Sequence, residues 1–195
     1  MPKKAEDIKD KIKLAIETYN KIAPLYKEEK ENKLLQFQLS EFISMLPKKG
    51  KVLDAGCSAG RDSAYLKEDG LEVTSIDLSE GMIKEAKKEG IEVKKEDLLK
   101  IKYKDEFEGI WCMATLADIP KNQAPALIKN FYKALKENGI LYIAVKEGQG
   151  EEIIEKEKYG NNPRFYAFYK QDELTKLLEE NNFTIISAAT SSDNS

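Results

Sequence analysis

Apolar residues at helical spacing dominate the first quarter of the chain. They predict an amphipathic helix over about residues 5–23, which Pro24 is expected to break or offset. Its apolar positions are Ile8, Ile12, Ala15, Ile16, Tyr19, Ile22 and Ala23. A second helix is predicted where the same spacing returns, stopped by Pro47 and Gly50, with the apolar positions Leu35, Leu39, Phe42, Ile43 and Leu46.

From Lys51 onward, short apolar segments alternate with helical patterns. Strands are predicted near 51–55, 71–76, 91–94, 108–113, 139–146 and 183–188. Helices are predicted near 61–69, 79–89, 121–137 and 171–181. This alternation indicates a doubly wound α/β fold, with a mostly parallel sheet covered by helices on both faces. Residues 147–169 look irregular and rich in aromatic residues, as is typical of a loop that forms a lid.

Composition narrows the class of protein. The 195 residues fit one domain, and the net charge of −3 argues against a nucleic-acid surface. No apolar segment approaches the length of a membrane span, and two cysteines, Cys57 and Cys112, fit a reducing cytoplasm. The chain has no histidine, so the commonest general base and zinc ligand is missing and no metal site is expected.

The strongest motif follows the first predicted strand. That strand carries Asp54, and a loop of small residues from Gly56 to Gly60 leads directly into a helix. The next strand ends in a second carboxylate, Asp77, seventeen residues after Gly60. Glycines let a backbone approach a ligand closely, and a carboxylate at that place can accept both ribose hydroxyls. The pattern predicts a site for a cofactor that contains a nucleoside.

The spacing of the small residues narrows the cofactor further. They stand at 56, 58, 59 and 60, which does not match the G-x-G-x-x-G register of a dinucleotide loop. Asp54 also places a negative charge where a pyrophosphate would lie. A nicotinamide-dependent oxidoreductase is therefore disfavoured. S-adenosylmethionine, which has a cationic amino group and no phosphate, suits the loop better.

At this point the chain resembles a family, the class I S-adenosylmethionine-dependent methyltransferases, in the small-molecule branch that includes tellurite-resistance-type enzymes. The resemblance runs from about Tyr19 to about Asp193. Its carriers, in order, are VLDAGCSAGRDSAYL, SIDLSEGMIKEAK, KKEDLLKI, FEGIWCMATLADIP and ALKENGILYIAVKEGQGE. It implies a Rossmann-like methyltransferase fold in a single domain, 1–195, with N-terminal helices that form a cofactor lid (1–47) and an α/β core (48–190).

The resemblance also implies roles for individual residues. Gly56 and Gly60 would contact the cofactor backbone, Asp54 the methionyl amino end and Asp77 the ribose. The remaining cofactor-binding candidates lie on the same rim or in the N-terminal segment: Tyr19, Tyr26, Cys57, Arg61, Leu78, Met82, Asp97, Leu98 and Met113. Each has a simpler alternative. Asp77 could cap the following helix, Asp97 could be a turn residue, and Met82 could belong to the core.

The acceptor side is less clear. Weak candidates for positioning an acceptor are Asp118, Tyr19 and Arg164, of which Arg164 could bind a carboxylate or another oxyanion. Asp118 stands where related enzymes often have histidine, so a step that depends on histidine is in doubt. Its alternative role is to cap the helix after Pro120, and Arg164 could equally be a surface residue. Positioning of the acceptor is therefore favoured over acid–base catalysis.

Two further expectations concern the loop and the sheet edge. Ser58 replaces the usual glycine, and its small side chain should preserve the loop. The polar C-terminus, Thr190–Ser195, leaves no segment for the final antiparallel strand of the family, so one sheet edge should stay open and favour a monomer or a weak homodimer. The leading function is methyl transfer to a small-molecule acceptor. A module that binds the cofactor or its product without turnover is the alternative.

Overall fold

The computed structural model describes residues 3–31 and 36–190. Its centre is a five-stranded, wholly parallel sheet in the order β3-β2-β1-β4-β5, and a separate two-stranded hairpin follows it in the chain. The strands are β1 Lys51–Ala55, β2 Glu72–Asp77, β3 Lys94–Lys95, β4 Phe107–Met113, β5 Leu135–Ala144, β6 Glu151–Glu155 and β7 Pro163–Ala167. The helices are α1 Lys3–Glu31, α2 Gln36–Ser44, α3 Arg61–Glu68, α4 Glu80–Lys88, α5 Ala124–Ala134 and α6 Gln171–Glu179. The doubly wound α/β prediction is confirmed.

Both faces of the sheet are packed, as expected for parallel strands. On one face Leu53, Ile110 and Phe131 are fully buried together with residues of α5. On the other face Phe42 of α2 packs against Trp111, with ring centroids 5.3 Å apart. Because a strand covered on both faces needs apolar residues on both, β1 and β4 carry apolar residues at consecutive positions, such as residues 52–53 and 110–113. This burial fixes the register and brings the carboxyl ends of β1, β2 and β4 to one edge.

The prediction that Pro24 breaks the first helix was wrong. One helix, α1, runs through it. Ile22 and Ala23 are buried just before the proline, and Tyr26 packs against Tyr19 and Tyr159 just after it. These tertiary contacts keep the two halves in one helix despite the lost backbone hydrogen bond. Of the predicted second helix, Leu35 lies outside the described residues.

Two strand predictions also need correction. The strand expected at 91–94 is reduced to the two residues of β3, because Ile91 is buried beneath Gly60 instead of joining a ladder. The strand expected at 183–188 does not form. Phe183 packs edge-on against Tyr132, with centroids 5.5 Å apart, but its segment pairs with no strand in the described chain. Therefore β5 is an open edge of the sheet, and residues 139–144 are all half-buried.

The segment 147–169, expected to be irregular, contains an antiparallel hairpin. Strands β6 and β7 pair over five positions, from Glu151 opposite Ala167 to Glu155 opposite Pro163. The Thr18 hydroxyl of α1 donates to the Pro163 carbonyl at 2.5 Å, and Lys11 pairs with Glu151 at 3.2 Å. The hairpin and α1 are thereby joined. None of the helices in residues 3–31 and 36–190 has the length and apolar character to cross a membrane.

Candidate functional site

The loop between β1 and α3 lies at the carboxyl end of the sheet in a tight left-handed path. Gly56 and Gly60 have φ of 83° and 85°, and Ser58 adopts φ 54° despite its side chain. The amides of Gly56 and Cys57 both donate to the Ile76 carbonyl of β2, at 2.9 Å. A Cβ on Gly56 would lie 2.2 Å from the Thr115 hydroxyl, so glycine is required there. The loop is fixed by β2 and by the segment after β4.

Asp77 ties this loop to the end of β2. Its two carboxylate oxygens accept the amide hydrogens of Ser58 and Ser79, each at 2.8 Å. Ser79, and not Asp77, is the N-cap of α4, because its hydroxyl accepts the Met82 amide at 3.2 Å. Asp77 is therefore not the N-cap itself, although it accepts the Ser79 amide at the start of the helix. Burial raises the pKa of Asp77, although both backbone hydrogen bonds lower it.

Asp54 is buried in β1, 2% exposed, beneath the same loop. Its carboxylate accepts the Ser63 hydroxyl at 2.6 Å, and Ser63 also shares a hydrogen bond with Ser75 at 2.7 Å. Burial raises the pKa of Asp54 to about 8, and the nearby carboxylate of Asp62 adds to the increase. The structure thus holds an acidic group whose charged form needs a cationic partner.

The candidates around Asp77 form an apolar and partly closed surface. Met82 is 1% exposed, and its sulfur lies 3.3 Å from the Ser58 hydroxyl. Asp97 accepts the Leu99 amide at 3.0 Å and pairs with Lys100 at 2.7 Å, which is the geometry of the turn alternative. Leu98 is buried, and its carbonyl accepts an Asn130 hydrogen at 3.1 Å. Leu78 is half-buried directly after Asp77.

Three other candidates lie around the same loop. Burial raises the pKa of the Cys57 thiol, so this side chain stays neutral. Arg61 at the start of α3 donates through Nε to Asp62 at 2.7 Å. Met113 ends β4, and its carbonyl lies 3.4 Å from the Thr115 hydroxyl. Because Asp62 also accepts the indole hydrogen of Trp111 at 2.9 Å, Arg61 is anchored to the core below the loop.

The three weak acceptor candidates meet in one cluster. Tyr19 of α1 donates its hydroxyl hydrogen to Asp118 at 2.9 Å. Arg164 of β7 donates to the Tyr19 hydroxyl and lies 3.4 Å from the other Asp118 oxygen. Asp118 ends a short 3-10 helix, Thr115–Asp118, after β4. The alternative in which Asp118 caps the helix after Pro120 is wrong, because its carboxylate is turned to Tyr19 and Arg164.

Arg164 is 6% exposed and is therefore not a surface residue. Its guanidinium carbon lies 4.6, 5.7 and 4.5 Å from the ring centroids of Tyr19, Tyr26 and Tyr166. Burial opposes its charge, but Tyr19 and Asp118 raise the pKa of Arg164 further. The Nε atom is buried and has no hydrogen-bond partner.

Electrostatics link this cluster to the loop. Burial raises the pKa of Asp118, whereas Arg164 lowers it. The negative charge of Asp118 in turn raises the pKa of Asp77. Burial also raises the pKa values of Tyr19 and Tyr26, which keeps both phenols protonated near neutral pH. The cluster of Tyr19, Asp118 and Arg164 thus lies beside the carboxyl ends of the parallel strands.

Sequence reasoning missed Asn20, which docks α1 onto this edge. Its side-chain oxygen accepts the Ser79 hydroxyl at 2.8 Å and the Gly81 amide at 3.0 Å. No local signal could reveal it, because its partners are about sixty positions away. Thr115, which holds the β1 loop from below, was also missed; its hydroxyl donates to the Ala55 carbonyl at 2.7 Å.

Two surface depressions lie away from these residues. One, of about 470 Å³, is lined by Lys51, Lys67 and Glu72 at the amino ends of the strands. The candidate site is instead covered by α1 and the hairpin. No group of three His, Cys, Asp or Glu side chains suitable for a metal ion occurs in the described part of the chain.

Comparison with known proteins places this geometry in a family. A model of the methyltransferase domain matches residues 26–188. A Bacillus subtilis protein named as the methyltransferase YqeM is 34% identical over 108 residues, 51% of this chain and 44% of the relative. A malonyl-[acyl-carrier protein] O-methyltransferase of Enterobacter lignolyticus is 36% identical over 73 residues, 36% of this chain and 28% of the relative. The matches span less than half the length of these curated relatives.

Solved structures share the fold. The DhpI–SAH complex has a TM-score of 0.68 at 19% identity, covering 87% of this chain and 86% of that one. At this identity the likeness shows the fold alone. The narrower resemblance to tellurite-resistance-type enzymes stays a prediction. Since the family model covers most of its length, this chain belongs to the methyltransferase-domain family, with the fold of class I S-adenosylmethionine-dependent enzymes.

Proposed function

We propose that the protein binds S-adenosylmethionine at the carboxyl ends of β1, β2 and β4 and transfers its methyl group to a small-molecule acceptor. The observation that carries the proposal is the left-handed loop after β1, which Asp77 locks to the end of β2 through Ser58 and Ser79. In open parallel sheets, ligands bind at this edge. Family membership supplies the chemistry that such a site serves.

The residues present fit this cofactor. Asp54 is a buried carboxylate with a raised pKa, and the neutral Ser63 hydroxyl donates to it, so an ammonium group suits it as a charged partner. Asp77 keeps lone pairs for two ribose hydroxyls after accepting two amides. When bound, S-adenosylmethionine supplies an electrophilic methyl group on a sulfonium.

The assignment extends to the remaining residues of this edge. In the proposal, Gly56 and Gly60 let the backbone approach the cofactor, and Tyr19 and Tyr26 close over it from α1. Further contacts come from Cys57, Arg61, Leu78, Met82, Asp97, Leu98 and Met113. The protein acts as a single domain in which α1, within residues 1–47, covers the core of residues 48–190.

Catalysis in this proposal is mainly positioning. Methyl transfer needs an aligned nucleophile in a site that excludes water. The cover formed by α1 and the hairpin supplies the exclusion, since Thr18 and Lys11 join them. Asp118, Tyr19 and Arg164 hold the acceptor. The small-molecule class of acceptor rests on the enclosed position of this cluster.

The test is calorimetric titration with S-adenosylmethionine, S-adenosylhomocysteine and NAD, followed by release of S-adenosylhomocysteine over an acceptor panel. We expect the first two ligands to bind and NAD not to bind. Asp77→Asn should weaken binding, whereas Asp69→Asn, the same change at an exposed position, should not. Tighter binding of NAD would overturn the cofactor assignment. Binding without product release across the panel would favour a non-catalytic module.

A further inference from the structure

Arg164 is the most unusual polar group of the described chain that the cofactor site does not use. It is 6% exposed, yet its Nε–H has no hydrogen-bond partner. Buried donors in native proteins are almost always paired, because an unpaired one carries the full cost of losing water. The donor therefore calls for an oxygen atom supplied from outside the chain.

The surroundings of Arg164 leave one kind of partner. The rings of Tyr19 and Tyr166 lie against the guanidinium, with centroids 4.6 and 4.5 Å from its central carbon, and the Tyr19 hydroxyl accepts a hydrogen from one terminal nitrogen. Asp118 is bound more closely to Tyr19, at 2.9 Å, than to Arg164, at 3.4 Å. Asp118 thus holds the guanidinium in place but leaves its Nε–H without an acceptor. Its planar edge matches the two oxygens of a second carboxylate.

We propose that the acceptor of this protein is a carboxylic acid, bound as its carboxylate by Arg164 and methylated on oxygen. This deepens the proposed function and rests on it. One relative reported above is named as a malonyl-[acyl-carrier protein] O-methyltransferase, which also names methylation on oxygen. In this chain the proposal rests on the buried Nε–H of Arg164, which has no hydrogen-bond partner.

The reaction balances without an acid or base. A carboxylate oxygen lone pair forms the new bond to the methyl carbon while the carbon–sulfur bond breaks. The bonding electron pair stays on sulfur, which becomes a neutral thioether, and the acid becomes a neutral methyl ester. No proton moves, which agrees with a chain that has no histidine. Asp118 and Tyr19 then act as positioning residues that orient the guanidinium.

The experiment measures acid binding to the protein already saturated with S-adenosylhomocysteine. Matched pairs of probes are titrated by calorimetry: propionate against propionamide, succinate against succinamide, and benzoate against benzamide. We expect acids to bind at least about tenfold more tightly than their amides, as a hydrogen-bonded charge pair allows. Arg164→Gln should remove the preference and Arg164→Lys should keep part of it. Lys170→Gln, which removes an exposed charge just after the hairpin, should not change it.

The outcomes separate the two proposals. If S-adenosylhomocysteine does not bind, the proposed function itself fails. If it binds but the acids give no heat, bind no better than the amides, or keep their preference in Arg164→Gln, only the carboxylate proposal is wrong. Should Arg164→Gln not fold, the double variant with Asp118→Asn leaves no unpaired charge and replaces it. A preference for amine probes over acids would also overturn the proposal.

Discussion

Asp54 offers the sharpest prediction, because its burial converts directly into a pH dependence of stability. The side chain is 2% exposed, and burial raises its pKa from 3.8 to about 8. The folded protein therefore holds a proton that the unfolded chain releases between these two pH values. Since the folded state binds more protons there, stability must fall as pH rises from about 4 to about 8.

The magnitude follows from the two pKa values. Each pH unit between them costs about 1.36 kcal/mol. From the ordinary value of 3.8 up to neutral pH, the free energy of unfolding should drop by about 4 kcal/mol on account of Asp54 alone. Asparagine has nearly the same shape and can still accept the Ser63 hydroxyl, but it does not titrate. Asp54→Asn should therefore be more stable than the wild type near neutral pH, by up to this amount.

Urea unfolding at a series of pH values checks this prediction in wild type, Asp54→Asn and the exposed control Asp69→Asn. The wild type and the control should lose stability together as pH rises, while the Asp54 variant should lose clearly less over the same range, since Asp77 and Asp118 keep their raised pKa values there. Parallel curves for all three proteins would refute the assignment of a raised pKa to Asp54.

The same titration should appear in cofactor binding. A cationic amino group pairs with the ionised carboxylate, so binding near neutral pH should release a proton from Asp54. Calorimetry of S-adenosylhomocysteine in buffers of different ionisation enthalpy measures that proton. The release should vanish in Asp54→Asn, and the affinity should fall. A buffer-independent heat in the wild type would mean that Asp54 is already ionised or does not meet the ligand.

Three further predictions concern Asp77, Gly81 and the open edge of the sheet. Asp77→Ala should weaken S-adenosylhomocysteine binding by about 1.5–3 kcal/mol, with a smaller loss of apo stability; unchanged affinity in calorimetry would contradict its role. Gly81→Ala places a Cβ 2.8 Å from the backbone of Asn20, so thermal unfolding should show a loss of about 1–3 kcal/mol, unlike the exposed control Lys84→Ala. The open edge at residues 139–144 should cause concentration-dependent self-association in light scattering, and a clean monomer at high concentration would contradict it.

Local sequence patterns determined the β1 loop and the sheet around it. The strand, the small residues and the carboxylates Asp54 and Asp77 lie within 24 residues, and their spacing reflects backbone geometry that neighbouring positions impose. Short apolar segments likewise predicted β1 and β4, because strands buried on both faces are mostly apolar. Ser58 adopts a left-handed backbone conformation, so the loop keeps its predicted path although this residue is not glycine.

Tertiary structure decided what long-range contacts control. Helix α1 passes through Pro24 because it is packed along both halves. The segment 183–188 has strand-like residues, but in the described structure Phe183 packs against Tyr132 and the segment does not pair with the open edge at β5. The cluster of Tyr19, Asp118 and Arg164 joins residues 99 and 145 positions apart. Local sequence propensity does not predict such partners, because burial and long-range hydrogen bonds form only when the elements pack together. The sequence alone therefore predicted the β1 loop and the parallel sheet around it, whereas the meeting of Tyr19, Asp118 and Arg164 in one cluster emerged only from the fold.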